Sequence, residues 1–363
     1  MESRYCLVAK TGDAELRALS NIPKENMQKI LPIIELTRGR KITNKEVKTV
    51  SYPYDKRLEK IKEIFQGQDI VIDVTSDESL SSYEIDALFE NGYVKWIELL
   101  KELKNSGLFN SIIPSVLINY DDPEFDQNLE KEITQMDKLF SSIMFRYILD
   151  QENDPIEDLK FVSSKFPKNK ELLVVLDCGY VPASAVEVIG KYADSRLGDI
   201  SKCLENREHK IVFVSTTFPN KITEPDDGRV GTIKICEIDL FDNVKRKYAN
   251  LIYGDYGSIN PKRNDEVVMA RGWIPRIDVA LKDRIFYYRL RRPKGVSSYS
   301  TTYVKVANAV TSDSCFPVDY NEIWGLQQIK NCSLGIVPSS SPSFWISVRM
   351  NTHVLQQIKR IYP

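Results

Sequence analysis

Eight short apolar runs recur along the first two-thirds of the chain: YCLVAK, LPIIEL, DIVIDV, IIPSVLI, SIMFRYI, LLVVLDC, KIVFVST and NLIYGDY. They begin near Tyr5, Leu31, Asp69, Ile112, Ser142, Leu172, Lys210 and Asn250. A continuous apolar run of this length, bounded by polar residues, is what a strand buried on both faces of a parallel sheet looks like. The stretches between them carry helical patterning. Residues 92–106 put Trp96, Leu99, Leu100 and Leu103 on one helical face. Residues 12–29 carry a stripe of Leu16, Leu19, Ile22 and Met27, interrupted by Pro23. Helices are also predicted over 54–66, 122–139, 154–166 and 183–204. Those at 122 and 154 have acidic openings that suit a helix N-terminus.

Eight strand–helix periods over about 250 residues are what a TIM-like (β/α)8 barrel requires, so the predicted class is α/β. The stretch 37–55 is polar and basic and exceeds a usual barrel loop. Residues 218–231, with Pro219, Pro225 and Gly228, read as loop, and TIKICEIDLFDNVKRKYA reads as a short strand followed by the last crossover. Beyond Pro261 the rhythm changes. Residues 273–292 suggest two antiparallel strands joined at Lys282-Asp283, followed by a helix over 303–310, a loop around 315–317 and a terminal helix near 347–361. The expected organisation is a barrel over 1–260, an inserted or appended hairpin-and-loop module over 261–345, and a C-terminal helix over 346–363 that could close the barrel.

Composition narrows the function classes. The 363 residues are 42% hydrophobic, enough for a sizeable core. Lys plus Arg number 50 against 51 acids, a formal charge of −1, which calls for neither nucleic acid nor an anionic membrane. No apolar stretch approaches a membrane span and the N-terminus lacks a signal-peptide core, so a cytoplasmic location is the default. The six cysteines are scattered without a CxxC pair and read as free thiols. Only two histidines, His209 and His353, are present, which argues against a histidine-rich metal centre.

Barrel chemistry gathers where the strands end. Those positions place Lys10, Glu35, Asp73, Arg146, Asp177 and Asp255 together, with Asn119 and Ser215 as neutral hydrogen-bonding groups. Glu35, Asp73, Asp177 and Asp255 are the candidate general acids and bases, because crowded carboxylates and neighbouring cations pull their protonation in opposite directions. Asp73 and Asp177 would suit Mg²⁺, a hard oxygen-seeking cation. Lys10 and Arg146 would hold a phosphate, with Arg38 of the basic loop TRGRK and Tyr256 of GDYGS as further ligand contacts. Nucleic-acid contact through that loop is the less favoured use of it. The alternative is a closed ion-pair network that orients the mouth without chemistry; a strand one residue out of register would send its charges to the helix layer instead. In the tail, IFYYRLRRPKG alternates aromatics with arginines. Arg289 and Arg291 are therefore candidates for a partner surface, against the alternative of a packed hairpin.

Several segments in order (RYCLVAK…LPIIELTRGR, the strand ends IDV, FR and LDCG, GDYGS at 254–258, and PRIDV…IFYYR…WG…WISVRMNTH) resemble the phage-type beta protein family. The resemblance covers nearly the whole chain, and EIDLFDN at the seventh crossover departs from the family's more aromatic pattern. It implies a TIM-barrel-like fold and a setting in phages, prophages and bacterial defence loci, and it transfers no catalytic residue. Combined with the strand-end charges, it gives two expectations. One is a phage-conflict protein that binds an anionic, phosphate-bearing ligand at its mouth and would, as an enzyme, be a Mg-dependent hydrolase. The other is a non-enzymatic antitoxin-like regulator or defence-complex subunit with a protein partner from a phage or defence operon.

Overall fold

The computed structural model describes residues 4–44, 49–149, 154–222, 230–262 and 272–363. Pro225 and Gly228 lie outside the described residues. The chain divides into two compact units. One comprises Met1–Thr11, Ile30–Ser215 and Leu240–Tyr256; the other comprises Gly12–Lys29, Thr216–Asp239 and Gly257–Pro363. The first lies wholly before residue 260, the boundary expected from the sequence, and the second takes residues from both sides of it.

The eight apolar runs form eight strands: β1 Tyr5–Lys10, β2 Ile30–Leu36, β3 Asp69–Val74, β4 Ser111–Pro114, β5 Ser142–Ile148, β6 Glu171–Tyr180, β7 His209–Thr216 and β8 Ile252–Asp255. They lie in one sheet in strict chain order, with β8 hydrogen-bonded back to β1 (Cys6 opposite Gly254). The pairs β1–β8, β1–β2, β7–β8, β2–β3, β3–β4 and β5–β6 are parallel. The seam between β4 and β5 is held by a parallel bridge, Ser115 opposite Met144, with Val116 N donating to Met144 O at 2.8 Å. This is the TIM-like barrel.

Alternate residues fill its interior: Cys6 and Val8 of β1, Leu31 and Ile33 of β2, Val71, Ile113, Met144, Leu173, Val175, Val212, Val214 and Ile252 pack in one buried cluster with Tyr256. Gly254 shares that parity. A Cβ there would sit 2.8 Å from Val214 Cγ2 and 3.0 Å from the Cys6 carbonyl, so the closing seam accepts no side chain at this point.

The helices of this unit follow the predicted faces. Val94–Asn105 buries Trp96, Ile97, Leu99, Leu100 and Leu103. Phe125–Leu139 buries Leu129, Ile133 and Met136, and also the acid Glu132, which is fully buried. Glu132 Oε1 accepts from Leu117 N at 3.0 Å and so holds the chain leaving β4, whereas Oε2 has no partner among the described residues. Burial pushes this carboxyl well above the usual range. Within the polar stretch 37–55, Ile42–Asn44 and Thr49–Ser51 pair as a small antiparallel hairpin that period-based reading missed, because both its strands are largely exposed.

In the second unit, Arg276–Ala280 and Arg284–Arg289 form the expected hairpin, and Val230–Lys234 joins its outer edge as a third antiparallel strand. Helices Ser300–Thr311 and Pro342–Ile361 extend the predicted ones, and Trp324–Ser333 is a helix that was not predicted. Pro342–Ile361 is buried on every side from Ser347 to Ile358. Its polar residues are used as ties. Asn351 Nδ2 donates to the carbonyls of Ala18 and Asn21 at 3.1 Å each, and its Oδ1 accepts from Gly325 N at 3.0 Å. One side chain thus serves the end of helix Asp13–Ser20 and the start of Trp324–Ser333. Arg349 pairs with buried Asp278 at 2.8 Å and lies 3.8 Å from the Phe218 ring centroid.

Candidate functional site

Moving two residues beyond the last interior apolar position of each strand reaches the barrel mouth. Val8 leads to Lys10, Ile33 to Glu35, Val71 to Asp73, Ile113 to Ser115, Met144 to Arg146, Val175 to Asp177 and Gly254 to Tyr256. Strand register sets Lys10 opposite Glu35 and Glu35 opposite Asp73.

Arg146 is the hub. Its Nε donates to Asp177 Oδ2 at 2.9 Å, and Nη1 donates to Glu35 Oε2 at 3.0 Å and to Asp73 Oδ2 at 2.8 Å. Its Nη2 lies 3.0 Å from the Tyr256 hydroxyl and 2.8 Å from Asp177 Oδ2. These five contacts match the five N–H groups of a guanidinium. Tyr256 in turn donates to Asp177 Oδ2 at 2.5 Å. Lys10 Nζ closes the rim, 3.1 Å from Glu35 Oε1 and 3.8 Å from Asp77 Oδ2. The side chains of Glu35, Asp73 and Asp177 are 4–6% exposed.

The electrostatics separate the two adjacent carboxylates. Burial alone would raise Glu35, but the Arg146 guanidinium and then the Lys10 ammonium outweigh it and hold the group at about 2. Asp73 goes the other way. Burial raises it, Arg146 opposes, and the ionised Glu35 beside it adds to the rise. Adjacent acids pushed apart in this way are an arrangement that can separate a proton acceptor from a proton donor. Burial also works against the charge of Arg146, but Tyr256, Asp177, Glu35 and Asp73 together keep it firmly protonated. The Tyr256 phenol is pushed well up, by burial first and by Asp177 second.

Other expected site residues fall elsewhere. Asp255 is one position off the interior parity; it is fully buried and accepts from the hydroxyls of Tyr5 at 2.5 Å and Tyr253 at 2.9 Å. Ser215 is its register partner on β7. Asn119 lies in the turn after β4, donating to Phe89 O at 3.2 Å and accepting from Asp121 N at 3.1 Å. Arg38 stacks over Tyr52 at 5.0 Å. Arg289 is buried, which leaves it little area for a partner, and Arg291 is half-buried. Among the described residues no group of three or more His, Cys, Asp or Glu is placed to hold a metal ion. At Asp73 and Asp177, the expected metal ligands, the Arg146 guanidinium bonds to both carboxylates. Residues the strand-end reading passed over are Ser115, which hydrogen-bonds Asp73, Thr75, which hydrogen-bonds Glu35, and Asp77. Parity alone would have named Ser115.

Three comparisons bear on the chain as a whole. The family model described as Beta protein matches residues 5–359. Protein beta of Enterobacteria phage P4 is 30% identical over 363 residues, covering 98% of this chain and 93% of that protein. Among solved structures, a chain of the tryptophan synthase α2β2 complex of Pyrococcus furiosus aligns with 70% of this chain and 87% of its own, at 14% identity and a TM-score of 0.39. Among the described residues no helix is long and apolar enough to cross a membrane.

Proposed function

The chain belongs to the Beta protein family, and from that premise we propose that its barrel mouth recognises a small organic cation, an amine or guanidine. The observation that carries this reading is the charge of the ring. Among the described residues, Glu35, Asp73, Asp177 and Asp77 pair with two cations, Lys10 and Arg146, a formal excess of two negative charges. A phosphate-bearing ligand, expected from the sequence, would have to displace a carboxylate, because every N–H of Arg146 is already committed. A cation adds to the ring without dismantling it. Burial and the Glu35 charge push the Asp73 carboxyl up, and an incoming positive charge would oppose that rise and favour its ionised form. The relative from a phage supports a role in phage or prophage biology, and phage–host conflict is the setting in which we place it.

The fully satisfied guanidinium favours one further reading, in which the ring is a structural tie and the protein acts through a partner. Thermal unfolding of the wild type and Asp177→Asn against amines, guanidines, Mg²⁺, inorganic phosphate and nucleotides decides between them. A ligand at a hundredfold its dissociation constant adds about 2.7 kcal/mol. A rise in Tm with amines or guanidines, lost in the variant, supports the cation site. A rise with phosphate compounds alone restores the anionic reading, and no rise with any compound favours the structural tie.

A further inference from the structure

The second unit carries an aromatic and basic feature that the barrel mouth does not use. Trp273 and Tyr299 stack with centroids 4.0 Å apart and planes 11° from parallel, and the Arg292 guanidinium lies 4.2 Å from the Tyr299 centroid. The Trp273 side chain hydrogen-bonds the hydroxyl of buried Tyr303, which itself stacks on Trp345 at 5.0 Å. The indole is therefore fixed in place, yet it is 40% exposed. The chain reaches it through Gly272, at φ +70°, where a Cβ would stand 2.0 Å from the Tyr299 hydroxyl oxygen. A side chain at 272 would push the stack apart.

The stretch of chain that carries Arg292 and Tyr299 is basic. Between Arg284 and Ser312 the sequence holds Arg284, Arg289, Arg291, Arg292, Lys294 and Lys305 and not one Asp or Glu, in a chain whose net charge is −1. Arg284 pairs with Asp283 and Arg289 is buried; Arg291 and Arg292 are half-buried, and Lys294 and Lys305 are exposed.

We propose that this platform docks single-stranded nucleic acid, with an unpaired base stacked on the Trp273 indole and backbone phosphates met by Arg292 and Lys294. A fixed, exposed ring with an arginine beside it and a basic stretch of chain next to it is how single strands are held without sequence preference. An acidic peptide would use the charges and leave the indole idle, so the stack favours a base.

Fluorescence anisotropy of the full chain with a labelled short oligothymidine tests this, with poly-glutamate as a competing polyanion. Binding is expected to weaken roughly tenfold in Trp273→Ala and to survive in Trp273→Phe, which keeps a stacking face. Lys294→Ala should lower the slope of log affinity against log salt by about 0.7, the contribution of one phosphate contact. Circular dichroism identical to wild type would show that the variants fold. Failure of the wild type to bind the oligothymidine at low salt would overturn the proposal. So would equal binding of poly-glutamate with no effect of Trp273→Ala, which would assign the patch to an acidic protein.

Discussion

The hydroxyl of Tyr256 donates to Oδ2 of Asp177 at 2.5 Å, and the same carboxylate oxygen accepts from Nε of Arg146 at 2.9 Å. The residue just past the last strand of the barrel is thereby tied to the ends of β5 and β6. Through the other arm of the guanidinium the tie extends to β2 and β3. Much of the mouth therefore depends on one cation.

Replacing Arg146 by Met should destabilise the protein by about 3–5 kcal/mol, because it leaves Glu35, Asp73 and Asp177 buried without their partner. Urea unfolding measures the loss. Adding Asp73→Asn to the same chain should recover part of it, and a double-mutant cycle without such coupling would mean that the two side chains act independently.

Glu35 predicts a specific acid sensitivity. Its carboxyl is at about 2 when folded against an ordinary 4.5, so its contribution to stability is complete above the ordinary value and is lost as pH falls from there towards 2. That shift corresponds to about 3 kcal/mol. Wild type should lose more stability than Glu35→Gln between pH 6 and pH 3, read as the difference in urea midpoints. Equal losses would place the acid sensitivity elsewhere.

Glu132 has the opposite sign. Its raised carboxyl favours the fold while protonated; that contribution is present below the ordinary glutamate range and is lost as pH climbs through the raised value. Glu132→Gln keeps an acceptor for Leu117 N and carries no charge. Relative to the wild type it should gain stability steadily as pH rises above the ordinary glutamate range, a divergence visible in melting temperatures taken across the range.

Asn351→Ala should cost about 3 kcal/mol, since three buried or half-buried hydrogen bonds of the one amide disappear, each worth about 1 kcal/mol. Hydrogen exchange should rise first at Gly325 N, whose acceptor is removed. Unchanged protection there would mean that another group replaces the amide.

The strands were legible because a strand buried on both faces writes itself as an unbroken apolar run, and all eight such runs became barrel strands. Which strand-end residue turns inward was less plain, since an unbroken run does not alternate and so hides its own parity. Asp255 was expected at the mouth where Tyr256 stands, and Asn119 and Ser215 where the interior parity selects Ser115 and Thr216. That Arg146 would gather three carboxylates from other strands is a property of barrel closure, with partners 31 to 111 residues away along the chain. A short strand was read from Thr232, with 230–231 taken as loop, but the pairing of Val230–Lys234 with Arg284–Arg289 depends on a contact that no local pattern specifies.

Neither compact unit is a continuous stretch of sequence. Each is assembled from three segments, so the backbone passes from one to the other five times before it ends. No single cut in the gene separates them, because every cut leaves at least one unit divided between the two products. Recombination, which trades domains by joining whole blocks, has no block here to trade. The two units are bound to be inherited together, and a family pattern that runs unbroken from residue 5 to residue 359 is the form such shared descent takes.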